Sequence, residues 1–340
     1  MDMTKKAHGL PPADDIIYMR RALQLARCGE GEASPNPMVG AVIVASGRII
    51  GEGFHRRCGG PHAEVNAIAS VADPSLLPRS TLYVTLEPCA HYGKTPPCAK
   101  LVIDSRIPHV VVGTRDPFDR VSGRGIAMLR EAGIDVAEGV LADECRQLNC
   151  RFMTAHTLHR PFITLKWAQS SDGFIGLRDR DGSPRPAMIS NQLSQVLAHR
   201  ERIRHDAVMV GTNTVISDNP RLDARLWAGK SPIPVTIDRH GMIPKESKLM
   251  HNRNTLVYGD ITLVDILSDL YTSHSVTSLL VEGGAKLLGS FIAADLWDAI
   301  RRETSSAPLG DGIAAPELPA GAQLTDTQTV RKSRIEYFRR

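Results

Sequence analysis

Pro61-His62-Ala63-Glu64, then Glu87-Pro88-Cys89, then Pro97-Cys98, place one imidazole, one carboxylate and two thiols in an order that a fold must gather if they are to act together. Their local settings are legible. Pro61 precedes a helical stretch at 62–71, a β-branched run at 81–86 reads as a strand leading to Cys89, and Pro97 opens a helix at 98–105. A metal bound by His62, Cys89 and Cys98 therefore requires a strand end and helix starts to meet at one point. Strands alternate with helices around these segments, the pattern of an α/β layered domain.

Upstream, Ile16, Met19, Leu23 and Ala26 have helical spacing within 15–28, and a hairpin follows at 39–44 and 48–54 around Ser46-Gly47. Downstream come a strand at 109–113, a helix at 126–132, a short strand at 135–139 and one continuous helix at 141–155. The first domain is expected to span 1–155 and the second 156–340. In the second, strands are expected at 162–168, 207–211, 235–238, 255–258 and 278–281, with helices at 191–202 and 285–294. The stretch 172–186, rich in Gly, Asp, Arg and Pro, reads as a loop.

A chain of 340 residues has room for two such domains. With 42% apolar and 23% charged residues it has a globular composition, and a formal charge of +4 without a basic tract argues against nucleic acid. An anionic small molecule remains compatible. The polar start and the lack of a long apolar run predict neither signal peptide nor membrane span, hence a cytoplasmic address. In that setting the six cysteines are expected as thiols or metal ligands.

H-x-E followed by P-C…C is the signature of zinc enzymes that deaminate bases. One imidazole and two thiolates leave a tetrahedral Zn²⁺ a fourth position for water, and Glu64 is expected to shuttle the protons. Helix starts near Cys89 and Cys98 favour thiolate. Taken singly, each residue is ordinary: a Cys is usually a small hydrophobe and a Glu usually solvated. A structural zinc site, completed by Cys58 or His91, is the weaker rival, since it has no use for a carboxylate that is not a ligand.

The long run from Pro88 to Cys98, with Asn36-Pro37-Met38-Val39-Gly40, Gly53-Phe54-His55 and Gly60-Pro61-His62-Ala63-Glu64, resembles the deaminase domain of the bifunctional riboflavin biosynthesis family. The resemblance continues through Thr164-Leu165-Lys166, Ser170-Ser171-Asp172-Gly173, the block from Gly211 to Leu222, and Val281-Glu282-Gly283-Gly284; past Asp295 the match is loose. It implies a cytidine-deaminase-like three-layer domain followed by a dihydrofolate-reductase-like α/β domain. The implied chemistry is zinc-dependent deamination of a phosphorylated diaminopyrimidinone, then NADPH-dependent reduction of its ribosyl group, in a homo-oligomer.

By matching position, Asn36 and His55 line the pyrimidine pocket. The cofactor meets Gln169, Met188, Thr214, Asp218, Gly284, Ala285, Lys286, Leu287, Leu288, Gly289 and Ser290, and the second substrate meets Arg202, Leu222, Arg225 and Glu282, with the two arginines as phosphate clamps. Independently of the resemblance, Gly283-Gly284 between a strand and a helix lets bare backbone approach a phosphate. Without a G-x-G-x-x-G run, a Rossmann domain is not expected.

Overall fold

The computed structural model describes residues 12–92, 96–117 and 122–340; the polar start 1–11 and the Gly93-Lys94-Thr95 part of the long cysteine loop lie outside them. The chain divides into two units, Met1–Thr157 and Leu158–Arg340.

In the first unit the expected hairpin forms from β1 (Gly40–Ala45) and β2 (Arg48–Phe54). It joins β3 (Ser80–Leu86), β4 (His109–Thr114) and β5 (Asp135–Glu138) in the order β2-β1-β3-β4-β5. β1 runs antiparallel to both neighbours, and β3, β4 and β5 are parallel. Because side chains alternate along a strand, Ala41, Ile43, Leu82, Val84, Val110 and Val112 share one face, while Val42, Val44, Tyr83 and Val111 share the other. The first face is covered by α2 (Ala63–Ala69), α3 (Cys98–Asp104) and α4 (Arg124–Glu131), and the second by α1 (Ala13–Arg27) and α5 (Ala142–Leu148). Both faces of the sheet are thereby buried, in three layers.

Gly53 sets the height of α2 over the sheet. A Cβ there would run into the backbone of Ala63 and Ala67, so the helix carrying Glu64 lies directly on β2. The single helix expected at 141–155 is instead two, α5 and α6 (Cys150–Leu158), divided at Asn149. The cause is a tertiary contact: Asn149 Nδ2 donates to Met38 O at 2.8 Å, and its Oδ1 accepts from Met38 N at 2.8 Å. The amide thus pins the segment that carries Asn36.

The second unit is built on β6 (Phe162–Gln169). A loop region follows with β7 (Phe174–Arg178) and β8 (Pro184–Arg185), then α7 (Gln192–Ile203), β9 (Ala207–Gly211), α8 (Thr212–Asp218), β10 (Ile233–Ile237) and β11 (Leu256–Tyr258). The chain continues through α9 (Leu263–Thr272), β12 (Ser278–Glu282), α10 (Ala285–Ala293), β13 (Ala299–Thr304), β14 (Ile313–Ala314), β15 (Gln323–Val330) and β16 (Ser333–Arg339). Eight strands form one sheet in the order β11-β10-β9-β12-β6-β13-β16-β15, parallel up to β13 and antiparallel beyond it. Ile163, Leu165, Met209, Val235, Leu279 and Val281 pack with Leu288, Phe291 and Trp297 in its core.

The stretch 172–186 is not wholly loop: β7 pairs with β8 and β14 in a small separate sheet. Asp172 accounts for the Ser-Asp-Gly block beside it. Its carboxylate accepts from Ser170 Oγ at 2.5 Å, Leu309 N at 3.0 Å and Gly310 N at 2.7 Å, which ties that turn to a loop far along the chain.

Candidate active sites

His62 is the N-cap residue of α2, with extended backbone at φ −71° and ψ 167°. This turns its imidazole out of the helix while Glu64 falls in the first turn, 3% exposed. β3 ends just before Cys89, and Cys98 opens α3; the Cys98 N–H donates to Cys89 Sγ at 3.2 Å, and the Ala99 N–H to the Cys89 carbonyl at 3.1 Å. His62 Nδ1 then stands 3.3 Å from Cys98 Sγ and 3.7 Å from Cys89 Sγ, with the three donor atoms all within 4.8 Å of one another. One nitrogen and two sulfurs at that spacing suit a zinc ion. Among the described residues no fourth His, Cys, Asp or Glu joins the group, and Cys58 and His91 are exposed. A closed structural site is therefore not what these residues make.

Hydrogen bonding from Cys98, outweighing burial, holds the Cys89 thiol down to about 4, and the same pairing pushes Cys98 up. Burial pushes the Glu64 carboxyl up to about 7.

Beside the cluster, His55 and Asn36 are brought together. His55 Nδ1 lies 3.0 Å from the Pro61 carbonyl and Nε2 lies 3.1 Å from Asn36 Nδ2; its ring meets that of His62 edge-on at 5.5 Å. A carbonyl only accepts, so Nδ1 carries the proton and Nε2 accepts from the Asn36 amide. Burial lowers the His55 pKa, in keeping with a neutral ring. Glu87, quoted in the motif without a role, is buried and accepts from Gly123 N and Gly125 N at 2.9 Å and Ile126 N at 3.2 Å. It fastens the start of α4 to the turn that presents Cys89. No sequence spacing signals this, because its partners lie far along the chain.

In the second unit a cavity of about 920 Å³ collects Met188, Thr214, Asp218, Gly284, Ala285, Lys286, Leu287 and Ser290, together with Arg202, Leu222 and Glu282. Gly283 and Gly284 have φ of 76° and 80°, a backbone that favours glycine, and they turn β12 into the N-terminus of α10 at the cavity wall. Four of the expected residues do not line it. Leu288 is buried in the core on the inner side of α10, Gly289 follows it away from the cavity, and Gln169 accepts the Trp167 indole N–H at 2.8 Å. Arg225 is exposed and paired with Asp223 at 2.5 Å.

Arg202 reaches the cavity, but its guanidinium is already engaged. Nε and Nη2 bind the two oxygens of Glu282 at 3.0 and 2.7 Å, and Nη1 donates to the Asp223 carbonyl at 2.7 Å. Burial opposes ionisation of Glu282, yet Arg202 and Lys166 hold its carboxyl at about 2. Lys166, quoted in the motif without a role, also faces the cavity.

The first unit is thus a cytidine-deaminase-like layer with a zinc-ligand triad, and the second an α/β domain of the reductase kind. Family models agree: residues 12–114 match the cytidine and deoxycytidylate deaminase zinc-binding region, and 161–337 match the RibD C-terminal domain. Riboflavin biosynthesis protein RibD of Aquifex aeolicus is 37% identical over 346 residues, covering 95% of each chain, and that of Bacillus amyloliquefaciens is 36% identical, covering 89% of this chain and 87% of its own. Among solved structures, Acinetobacter baumannii RibD superposes with a TM-score of 0.87 at 30% identity, covering 96% of this chain and 98% of its own. The deaminase/reductase of Thermotoga maritima gives 0.84 at 36% identity with the same coverage. The chain belongs to the RibD family of bifunctional riboflavin biosynthesis deaminase/reductases.

Proposed function

We propose that the chain converts 2,5-diamino-6-(5-phosphoribosylamino)pyrimidin-4(3H)-one to 5-amino-6-(5-phosphoribosylamino)uracil with release of ammonia, and then reduces the ribosyl group to ribityl with NADPH. The observation that carries the first step is a buried carboxyl, not itself a ligand, beside three donors that fit zinc. His62 Nδ1, Cys89 Sγ and Cys98 Sγ would hold the ion. Zinc at such a site lowers the pKa of water toward neutrality and so makes hydroxide available. Glu64 takes the proton that water loses and delivers it to the departing amine nitrogen, a balanced transfer that leaves the carboxylate as it began. Asn36, with its Nδ2 committed to His55, offers Oδ1 to a ring N–H or amino group.

For the second step NADPH supplies hydride. Thr214, Asp218 and the turn 284–287 with Ser290 would hold it, the start of α10 facing a phosphate and the positive-φ glycines leaving room for it. Met188, 89% exposed at the cavity mouth, would lie over the cofactor or the substrate. Leu222 and Glu282 face the same space as substrate contacts. The test is to give the purified protein NADPH and 5-amino-6-(5-phosphoribosylamino)uracil. Oxidation with a ribityl product supports the second step and ammonia release from the diaminopyrimidinone the first, whereas ammonia release without NADPH oxidation leaves a deaminase alone.

A further inference from the structure

The cavity of the second unit meets the ends of four adjacent parallel strands: Lys166 and Ala168 on β6, Glu282 on β12, Val210 and Gly211 on β9, and Ile237 on β10. Four neighbouring strands span three strand spacings, roughly 14 Å. The cavity is therefore a trough along the C-terminal edge of the sheet, where open α/β sheets take their ligands. Its charges are unevenly placed. Toward β6, Lys166 is in register with Glu282, and Arg202 binds both Glu282 oxygens. Beyond the end of β10, Arg239 and His240 line the same cavity.

The β10 end is held on both sides. The Asp238 N–H donates to the Tyr258 carbonyl at 2.7 Å, and the Thr212 hydroxyl donates to the Ile237 carbonyl, which ties the strand end to β11 and to the start of α8. A free carboxylate at such a strand end would bond the 2′-hydroxyl of a plain ribose and repel a phosphate. Asp238 is not free: Oδ1 accepts from Met242 N at 2.9 Å and Oδ2 from Ile243 N at 3.0 Å. The next residue carries the charge that a ligand meets. Arg239 Nε lies 3.5 Å from Asp260 Oδ1, and the two side chains are 53% and 87% exposed, so this solvated contact is weak enough for a phosphate to displace. Ile237, Met242 and Leu263 line the cavity as well and supply apolar surface for a base.

We propose that Arg239, with His240 beside it, sets the cofactor specificity of this unit by binding the 2′-phosphate that NADPH carries and NADH lacks. The inference rests on the reductase reading of the unit. Order along the trough supports it. Glu282, a substrate contact in that reading, ends β12, the positive-φ glycines at the start of α10 follow it, and Arg239 stands two strands further on, past β9. A dinucleotide with its hydride end toward Glu282 and its pyrophosphate at α10 sends its adenosine end toward β10. There a guanidinium offers parallel N–H groups that match two oxygens of a phosphate.

The experiment titrates the zinc-loaded protein with 2′,5′-ADP and with 5′-AMP by calorimetry, and measures KM for NADPH and for NADH on 5-amino-6-(5-phosphoribosylamino)uracil. The parent is expected to bind 2′,5′-ADP more tightly than 5′-AMP. Arg239→Gln should lose about 10- to 100-fold in 2′,5′-ADP affinity and raise KM for NADPH by the same factor, while 5′-AMP affinity and KM for NADH hold. Arg239→Lys should keep part of the preference, as a point charge without the fork. Arg185→Gln, which removes a cavity arginine of β8, should keep all of it. Unchanged 2′,5′-ADP affinity in Arg239→Gln, or a loss that 5′-AMP shares equally, overturns the proposal. So does a rise in KM for the aminouracil in place of NADPH, which would give Arg239 to the substrate phosphate. A parent that oxidises NADPH and NADH with equal KM keeps the reductase and loses the specificity site. If 2′,5′-ADP binding behaves as stated but no NADPH is oxidised, the reductase reading fails and the phosphate site stands.

Discussion

Glu64 and the three donors around it are separable by substitution. Glu64→Gln keeps the volume and removes the proton shuttle, so ammonia release should fall by about 10²- to 10⁴-fold, with zinc content by metal analysis unchanged. NADPH oxidation on the deaminated substrate should continue. A variant that loses its zinc would instead make Glu64 a structural neighbour of the metal. The Arg202–Glu282 pair offers a second residue-level test. Arg202→Met strands a buried carboxylate and should cost about 3–5 kcal/mol in chemical denaturation. Glu282 is held at about 2, below the ordinary glutamate value near 4.3, so its contribution is complete above that value and is lost as pH falls toward 2. Glu282→Gln should flatten that acid limb of the stability profile; a limb of unchanged slope would place the linkage elsewhere.

Among the elements, α2 and its seat on β2 matter most, because one helix start carries both His62 and Glu64. Gly53→Ala forces a methyl against the backbone of Ala63 and Ala67, which must move. The expected cost is about 1–3 kcal/mol in urea unfolding, with weaker zinc retention against a chelator. Stability lost without any change in zinc affinity would show that α2 shifts as a rigid piece. The helices and strands near the motifs were readable because their periodicities were strong. Asn149 splits a helix that periodicity ran straight through, because its amide pairs with Met38. The helix α8 lay hidden in the block from Gly211 to Leu222, and β15 was invisible because nearly all its residues are exposed, leaving no alternation to read.

For the whole molecule, the two units carry separate chemistry, and no described helix is long and apolar enough to cross a membrane. Removing zinc with a chelator should abolish deamination and leave NADPH oxidation on the deaminated substrate within about twofold, since no zinc donor belongs to the second unit. Parallel loss of both activities would instead link the second unit's integrity to the metal. By itself the sequence determined the layered α/β plan, the zinc donors and Glu64, because these depend on residue type and on elements adjacent in the chain. The tertiary structure decided what residue type cannot express: that Arg202 is spent on Glu282, and that Leu288 turns into the core while Thr214 reaches the cavity. Each of these depends on which strand lies beside which and which side of a helix meets the sheet, and such contacts between distant segments exist only once the chain has folded.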